Sequence, residues 1–364
     1  MKWSARLVFF FMLIITQVVV VKALAQQATQ KYYNAKNQHY YSKKHQAYYD
    51  SLMKMNYDRV FPILGDKVYK KGFDIPFPIG VMINNFWGNQ DMALSNLKIG
   101  VRTPDTTLGP ADMSEVIVFS KVNAKVYNIN TRVDVWVLPF LNVYGLLAYL
   151  PYASTEVNLA EPVELSSKPE QSGWTWGLGL MGAGGLGPVW IQADYNFTWS
   201  DMQLLTNKVF TQILGFRVGH VIKSKVDPQK NFSIWVGAMG IFLNNETKGE
   251  VSLSEALPDV PQEKIDEIKQ SYSSWYEKLS PTGKKVADEI VQRLQDRLDG
   301  RPKGETYILY EMDKAPKSKW AGVIGAQYQF NKRWQLRAES NCIGKDRFSV
   351  LLSINYRFLG FKKR

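Results

Sequence analysis

Apolar and polar side chains alternate with a period of two through much of the chain after residue 124. Val189, Ile191, Ala193, Tyr195, Phe197 and Trp199 share one face of an extended segment, and Trp190, Gln192, Asp194, Asn196 and Thr198 share the other. The same split recurs in Trp320 to Phe330, Trp334 to Asn341 and Phe348 to Phe358. Successive strand residues point to opposite faces, so each segment carries one apolar and one polar face. Nine strands are predicted, over 124–137, 139–150, 172–184, 188–200, 209–223, 231–244, 319–330, 333–343 and 348–358.

A soluble sandwich shows the same alternation, but three features point to a transmembrane barrel. Charges sit in mid-strand on the polar face, among them Arg132, Asp134, Asp194, Arg217, Arg337 and Glu339. Aromatics mark the strand ends on the apolar face: Trp174, Trp199, Trp320, Trp334, Tyr356 and Phe358. The segments run about 10–14 residues, enough for a tilted bilayer crossing, where globular strands stop near 5–6. Connections also alternate. Asn331-Lys332, Asp227 to Lys230, Gly185 to Gly187 and the turn at Pro139 are short, whereas Tyr152 to Ser172, Asp201 to Lys208 and Asn244 to Ser318 are longer; Gly344 to Arg347 mildly breaks the contrast. Short periplasmic turns and longer external loops are the habit of outer-membrane barrels.

An even barrel needs an odd number of strands before residue 124. Candidates are 78–87, 95–103 and 113–121, which gives twelve strands; with 78–103 as a plug or periplasmic segment the count is ten. The predicted fold is therefore an all-β, antiparallel, up-and-down transmembrane β-barrel of twelve strands, alternatively ten, over residues 76–358.

The chain opens with a basic start (Lys2, Arg6), an apolar run from Leu7 to Val21 and the small-x-small box Ala23-Leu24-Ala25. This is the pattern of a signal peptide cleaved after Ala25. Lys2, Arg6 and Lys22 carry three of the formal net charge of +12, leaving +9 on the mature chain. No later apolar run is long enough for a spanning helix. An exported basic barrel meets anionic lipopolysaccharide and outer-membrane lipid, not nucleic acid.

The terminal strand, Ile354-x-Tyr356-x-Phe358, resembles the aromatic strand that small Gram-negative outer-membrane barrels present to the barrel-assembly machinery. The stretch Trp136-Val-Leu-Pro-Phe-Leu-Asn-Val-Tyr144-Gly145 resembles a recurring turn of uncharacterised bacterial barrels. The resemblance covers roughly residues 76–358. It implies location and fold and leaves activity open, since barrels of this kind host pores, lipases, adhesins and scaffolds. A basic tail follows at 359–364.

Two segments lie outside the barrel pattern. Residues 26–75 form a Tyr/Lys-rich periplasmic arm. Within it Tyr32-Tyr33, Tyr40-Tyr41 and Tyr48-Tyr49 recur every eight residues. The plain reading of 31–54 is a tail without fixed structure; the sharper one is an arm for peptidoglycan or a periplasmic partner. In the loop 244–318, Ile265, Ile268, Tyr272, Trp275 and Leu279 step by three and four, and Val286, Ile290, Leu294 and Leu298 by four. With Ser280-Pro281 between the runs and Gly300 after them, this predicts an external αα-hairpin, a lid or a contact surface.

Candidate chemistry is sparse. One cysteine, Cys342, and three histidines offer no metal centre, and no cofactor motif is present. Only His220 lies in the barrel region, on the lipid face near the periplasmic rim, which does not suit outer-leaflet lipid chemistry. No catalytic residue is assigned. The expected lumen charges are Lys98, Arg102, Arg132, Asp134, Asp194, Arg217, Arg337, Glu339 and Arg357. They fit a salt-bridged, filled interior or a narrow pore that favours small anions. Adhesion through the helical loop is the alternative, and a lipid-modifying enzyme ranks below these.

Overall fold

The computed structural model describes residues 43–363 apart from 163, 245, 258–259 and 302–303. The expected signal peptide and the first two tyrosine pairs of the repeat lie outside the described residues. In chain order the strands are β1 (Ile79–Arg102), β2 (Thr107–Asp112), β3 (Val118–Leu138), β4 (Leu141–Glu161), β5 (Leu165–Ser167), β6 (Glu170–Leu186) and β7 (Val189–Met202). They continue as β8 (Val209–Lys223), β9 (Asn231–Leu243), β10 (Glu246–Ser252), β11 (Tyr307–Pro316), β12 (Trp320–Gln329), β13 (Trp334–Ile343) and β14 (Arg347–Phe358).

Ten of them close into an antiparallel barrel in the order β1, β14, β13, β12, β9, β8, β7, β6, β4, β3 and back to β1. The seam is made by the lower half of β1, paired from Ile79↔Phe358 to Gln90↔Arg347 on one side and from Ile79↔Val135 to Asp91↔Asn123 on the other. Closure leaves no open edge in the ring, the condition for strands to cross lipid. The outer surface is apolar where a soluble protein would be polar: Ile83, Leu147, Leu178, Ile191, Val218, Val236, Ile324 and Leu352 are all exposed. The inner face carries buried Asn84, Asp134, Asp194, Arg217, Glu339 and Arg357. This inside-out distribution is that of a membrane barrel. Among the described residues no helix is long and apolar enough to cross a membrane.

The expectation of twelve strands is corrected to ten. Residues 95–103 are the upper part of β1 and not a separate crossing. Of 113–121, only Val118 onward is strand, as the start of β3. Alternation is regular from Ile79 to Gln90 and is broken higher up by a bulge between Ser95 and Lys98, with Asn96 at φ 52°; the partners of β1 change at Met92, where it leaves the barrel wall and pairs with β11 and then β2.

Above the barrel, β2, upper β1, β11 and β10 form a second sheet, β11 pairing with both β1 and β10. Helices α3 (Leu253–Ala256), α4 (Gln262–Gln270), α5 (Tyr272–Trp275) and α6 (Pro281–Leu298) pack on it. Ser280 caps α6 by accepting from the Gly283 amide at 3.1 Å, Pro281 occupies its first turn, and Gly300 at φ 69° follows its end. These are the start and stop signals of an isolated surface helix, and the apolar stripe decides what it covers. Ile265, Ile268, Trp275, Leu279, Val286 and Leu294 enter one buried cluster with Leu97, Ala111, Met113 and Leu253. The two apolar runs of the expected αα-hairpin fall mainly in α4, α5 and α6, with α4 against α6, and lie within a mixed sheet-and-helix cap. Ile290 packs at the edge of this cluster, Leu298 is exposed, and the side chain of Tyr272 lies outside the described residues.

The opposite end, where the turns are short, is covered by the N-terminal segment. Residues 43–54, expected to lack fixed structure, form α1 (Lys43–Met53), and a short α2 (Gly65–Tyr69) follows. Buried His45 meets the Ser224 carbonyl at 2.8 Å, Lys223 donates to the Tyr49 hydroxyl at 2.8 Å, and Lys332 pairs with Asp74 at 2.7 Å. The C-terminal tail joins this layer through the Val60 amide to the Phe361 carbonyl at 2.9 Å.

Candidate functional site: a capped chamber above a polar layer

The barrel interior is divided by chemistry. In the half nearer the short turns, seven of the nine expected lumen charges come together in two linked sets. Arg217 on β8 holds Glu339 on β13 through two bonds, Nη2 to Oε1 at 2.7 Å and Nε to Oε2 at 2.8 Å, and also binds Asp194 on β7. Arg337 adds a 2.7 Å contact to Glu339, and the Trp235 indole donates to the same carboxylate at 2.8 Å. Gly325 pairs with Trp235 on one side and Glu339 on the other. A Cβ there would collide with the indole, so this glycine lets the ring lie flat across β12 to reach the acid.

The second set is centred on Asp134. Arg357 reaches it at 2.9 Å, Asn142 donates to it at 2.7 Å, and Arg132 lies 3.9 Å away with its guanidinium over the Tyr144 ring. Four guanidiniums against three carboxylates cross-link strands that are distant around the ring. A charge taken from water is tolerated only when paired and hydrogen-bonded, which these are. Lys98 and Arg102 are corrected: they lie above the barrel on the upper sheet, in exposed pairs with Glu311 (3.2 Å) and Glu250 (2.7 Å).

Above this layer a cavity of about 640 Å³ occupies the upper barrel and the space under the cap. Its wall is Phe86 and Met92 of β1, Val126 of β3, Leu150 of β4, Met239 and Ile241 of β9; its roof is Ile268, Trp275, Ala287, Ile290, Val291 and Leu294 of the helices. The strands supply this wall because inward positions change from polar to apolar toward the capped end. On β1, inward Asn84 gives way to Phe86. A smaller cavity of about 200 Å³ lies among Tyr144, Asp194, Arg217 and Glu339 and shares Phe86, Ile213 and Met239 with the chamber, so the two meet at that level.

Sequence reasoning missed the chamber. Its lining comes from both the barrel and a loop read as separate from it, and only the predicted apolar helix faces hinted at a roof. It also missed Lys314 on β11, where Ile308, Tyr310, Met312 and Lys314 alternate inward and line the cavity. The Lys314 ammonium donates to Thr155 Oγ1 on β4 at 2.9 Å. It touches the cavity space yet is ringed by protein, and burial pushes it down to about 8.

The expected interface aromatics lie on the outer face. Trp174, Trp320, Trp334 and Phe358 are exposed, while Trp199 stacks on Trp176 at 4.5 Å and Tyr356 meets Trp334 at 4.7 Å. Trp174, Trp199 and Trp320 stand toward the capped end, and Trp334, Tyr356 and Phe358 toward the short-turn end. His220 is exposed on the outer face between Val189 and Ile234, away from the chamber.

No protein-family model and no curated protein matches the chain. Among solved structures it is similar to the outer membrane protein OprG from Pseudomonas aeruginosa, at 10% identity over 78% of this chain and 99% of that one, with a TM-score of 0.36. It is similar to the β-domain of the Bordetella autotransporter BrkA at 10% identity, 77% and 100% coverage and a TM-score of 0.35. It is also similar to the Pseudomonas putida toluene transporter TodX, at 8% identity, 88% and 95% coverage and a TM-score of 0.26.

Proposed function

We propose that this outer-membrane barrel takes small apolar molecules into its capped chamber and holds them above an ion-paired polar layer. The observation that carries the reading is the cavity of about 640 Å³ with apolar walls. A cavity of that size matches those that bury most of the surface of a small ligand, with few polar groups to orient it. Water gains little in such a space, because apolar walls offer it no hydrogen bonds.

The polar layer argues for chamber over ion path. The arginines that would line an anion route are engaged by Asp134, Asp194 and Glu339, so an anion would have to displace a buried carboxylate to pass. The barrel surface sets the protein in outer-membrane lipid and lipopolysaccharide, and β14 is the strand the assembly machinery would engage. On this topology the cap faces outward and α1 lies in the periplasm, where the unaccounted tyrosine pairs of the arm would meet peptidoglycan or a partner.

The test is binding of the apolar dye N-phenylnaphthylamine to the folded protein in maltoside micelles. Wild type is expected to enhance its fluorescence beyond the micelle blank. Ala287→Trp, which fills the roof, is expected to abolish that increment. Equal enhancement in both proteins, or none in wild type, would contradict the reading.

A further inference from the structure

We propose that the chamber's ligand is an amphiphile with one carboxylate on an apolar body, and that Lys314 receives the carboxylate. The inference rests on the chamber being a site for apolar molecules and adds the head-group chemistry.

The pattern of β11 supports it. Its acidic residues, Glu311 and Asp313, alternate outward, where Glu311 pairs with Lys98 and Lys248 and Asp313 accepts from Asn96 at 2.6 Å. Its lysine alternates inward with Ile308, Tyr310 and Met312. The strand therefore directs its negative charge to solvent and its positive charge into an apolar cavity. Inside, the ammonium meets the neutral hydroxyl of Thr155 and, among the described residues, no carboxylate within ion-pair distance. The guanidiniums of the polar layer below behave differently, since Arg132, Arg217, Arg337 and Arg357 are each in reach of an acid.

Arg347, buried where Lys314 is half-buried, is a second cation lining the chamber, and its donors are largely used. It clamps the Ser318 and Lys319 carbonyls at 2.8 and 3.3 Å, leaving Nε without a partner. Arg347 likewise meets no carboxylate among the described residues, but carbonyls hold its guanidinium, whereas the Lys314 ammonium meets a single hydroxyl, and its lowered proton affinity agrees with that weaker compensation. An isolated ammonium in an apolar setting is unfavourable, and an incoming carboxylate makes a charge-assisted hydrogen bond there without a new desolvation of the lysine. A single ammonium beside a hydroxyl suits a monoanion, and a dianionic phosphate would exceed the charge available.

The experiment uses the full mature chain in maltoside micelles, with bound N-phenylnaphthylamine displaced by decanoate, decanol or decyltrimethylammonium. Variants are Lys314→Met and Lys314→Arg, each checked for the folded, heat-modifiable band. Lys314→Met is expected to raise the half-displacing concentration of decanoate about tenfold or more, the scale of a hydrogen bond to a charged group. It should leave decanol unchanged, and Lys314→Arg should retain decanoate binding. Equal displacement by decanoate in wild type and Lys314→Met overturns the head-group assignment while decanol displacement keeps the apolar chamber standing. Preference for decyltrimethylammonium over decanoate overturns it too. If the dye never binds wild type, both readings fall.

Discussion

Arg217 and Glu339 come from strands three apart around the barrel and 122 residues apart in sequence, and they meet in a two-point ion pair of 2.7 and 2.8 Å. Asp194, Arg337 and Trp235 close around the pair. Arg217→Met leaves Asp194 without its cation and Glu339 with Arg337 alone, and removing one partner of a buried pair costs about 3–5 kcal/mol. The urea midpoint of the barrel should fall accordingly, whereas Lys98→Met, which breaks an exposed pair, should change it by less than about 1 kcal/mol. Equal midpoints for the two variants would show that the polar layer does not brace the ring.

Gly325 gives a second probe of the same layer, through shape and not charge. Gly325→Ala places a methyl against the Trp235 ring and should push the indole off Glu339. The expected outcome is a shift in Trp235 near-ultraviolet dichroism with the barrel still assembled. An unchanged signal, referenced to Trp235→Phe, would mean the indole is not held against that acid.

The cap has its own core, so it should loosen without the barrel. Val286 and Ile265 are fully buried in it, and Val286→Ala with Ile265→Ala removes apolar volume at about 1–4 kcal/mol per site. Amide exchange should rise across 253–298 while heat-modifiability stays. Unfolding of barrel and cap together would contradict this.

The strands of the barrel were legible because lipid outside and charge inside impose a two-residue period over a long run, as in Val189 to Trp199. The same regularity misled at β1. Alternation says which face a residue takes and not which neighbour its strand has, so Lys98 and Arg102 read as lumen although β1 had already left the wall. The cap helices were legible from Val286, Ile290 and Leu294. Their partners Leu97 and Met113 lie over 140 residues away, a distance no local pattern bridges. Lys314 was invisible for a related reason. It sits in a stretch read as loop, and an inward lysine shows only once Thr155 faces it.

The N-terminal layer over the short-turn end should loosen at alkaline pH. Tyr48 and Tyr69 are pushed well up by burial and Asp74, and Tyr57 up to about 12 by burial. The docked segment therefore holds these protons more tightly than the free chain, whose phenols ionise near 10. Docking is fully present below about pH 10 and is lost progressively as pH rises through the docked values. Protease cleavage within 43–72 should accelerate above pH 10, and Tyr48→Phe should reduce that acceleration. Cleavage independent of pH would contradict it.

Orientation follows from labelling on whole cells in a Cys342→Ser background. Leu298→Cys, exposed on the cap, should react with an impermeant maleimide on intact cells. Val226→Cys, exposed in the β8–β9 turn, should react only after the outer membrane is opened. The reverse order would invert the topology.

The chamber itself can be seen directly by anomalous diffraction from crystals grown with 1-bromodecane. Bromine is predicted inside the barrel mouth, between the Trp275 and Leu294 roof and the Met239 wall, in a cavity of about 640 Å³. Bromine confined to the outer apolar surface, with none beneath the cap, would contradict the account.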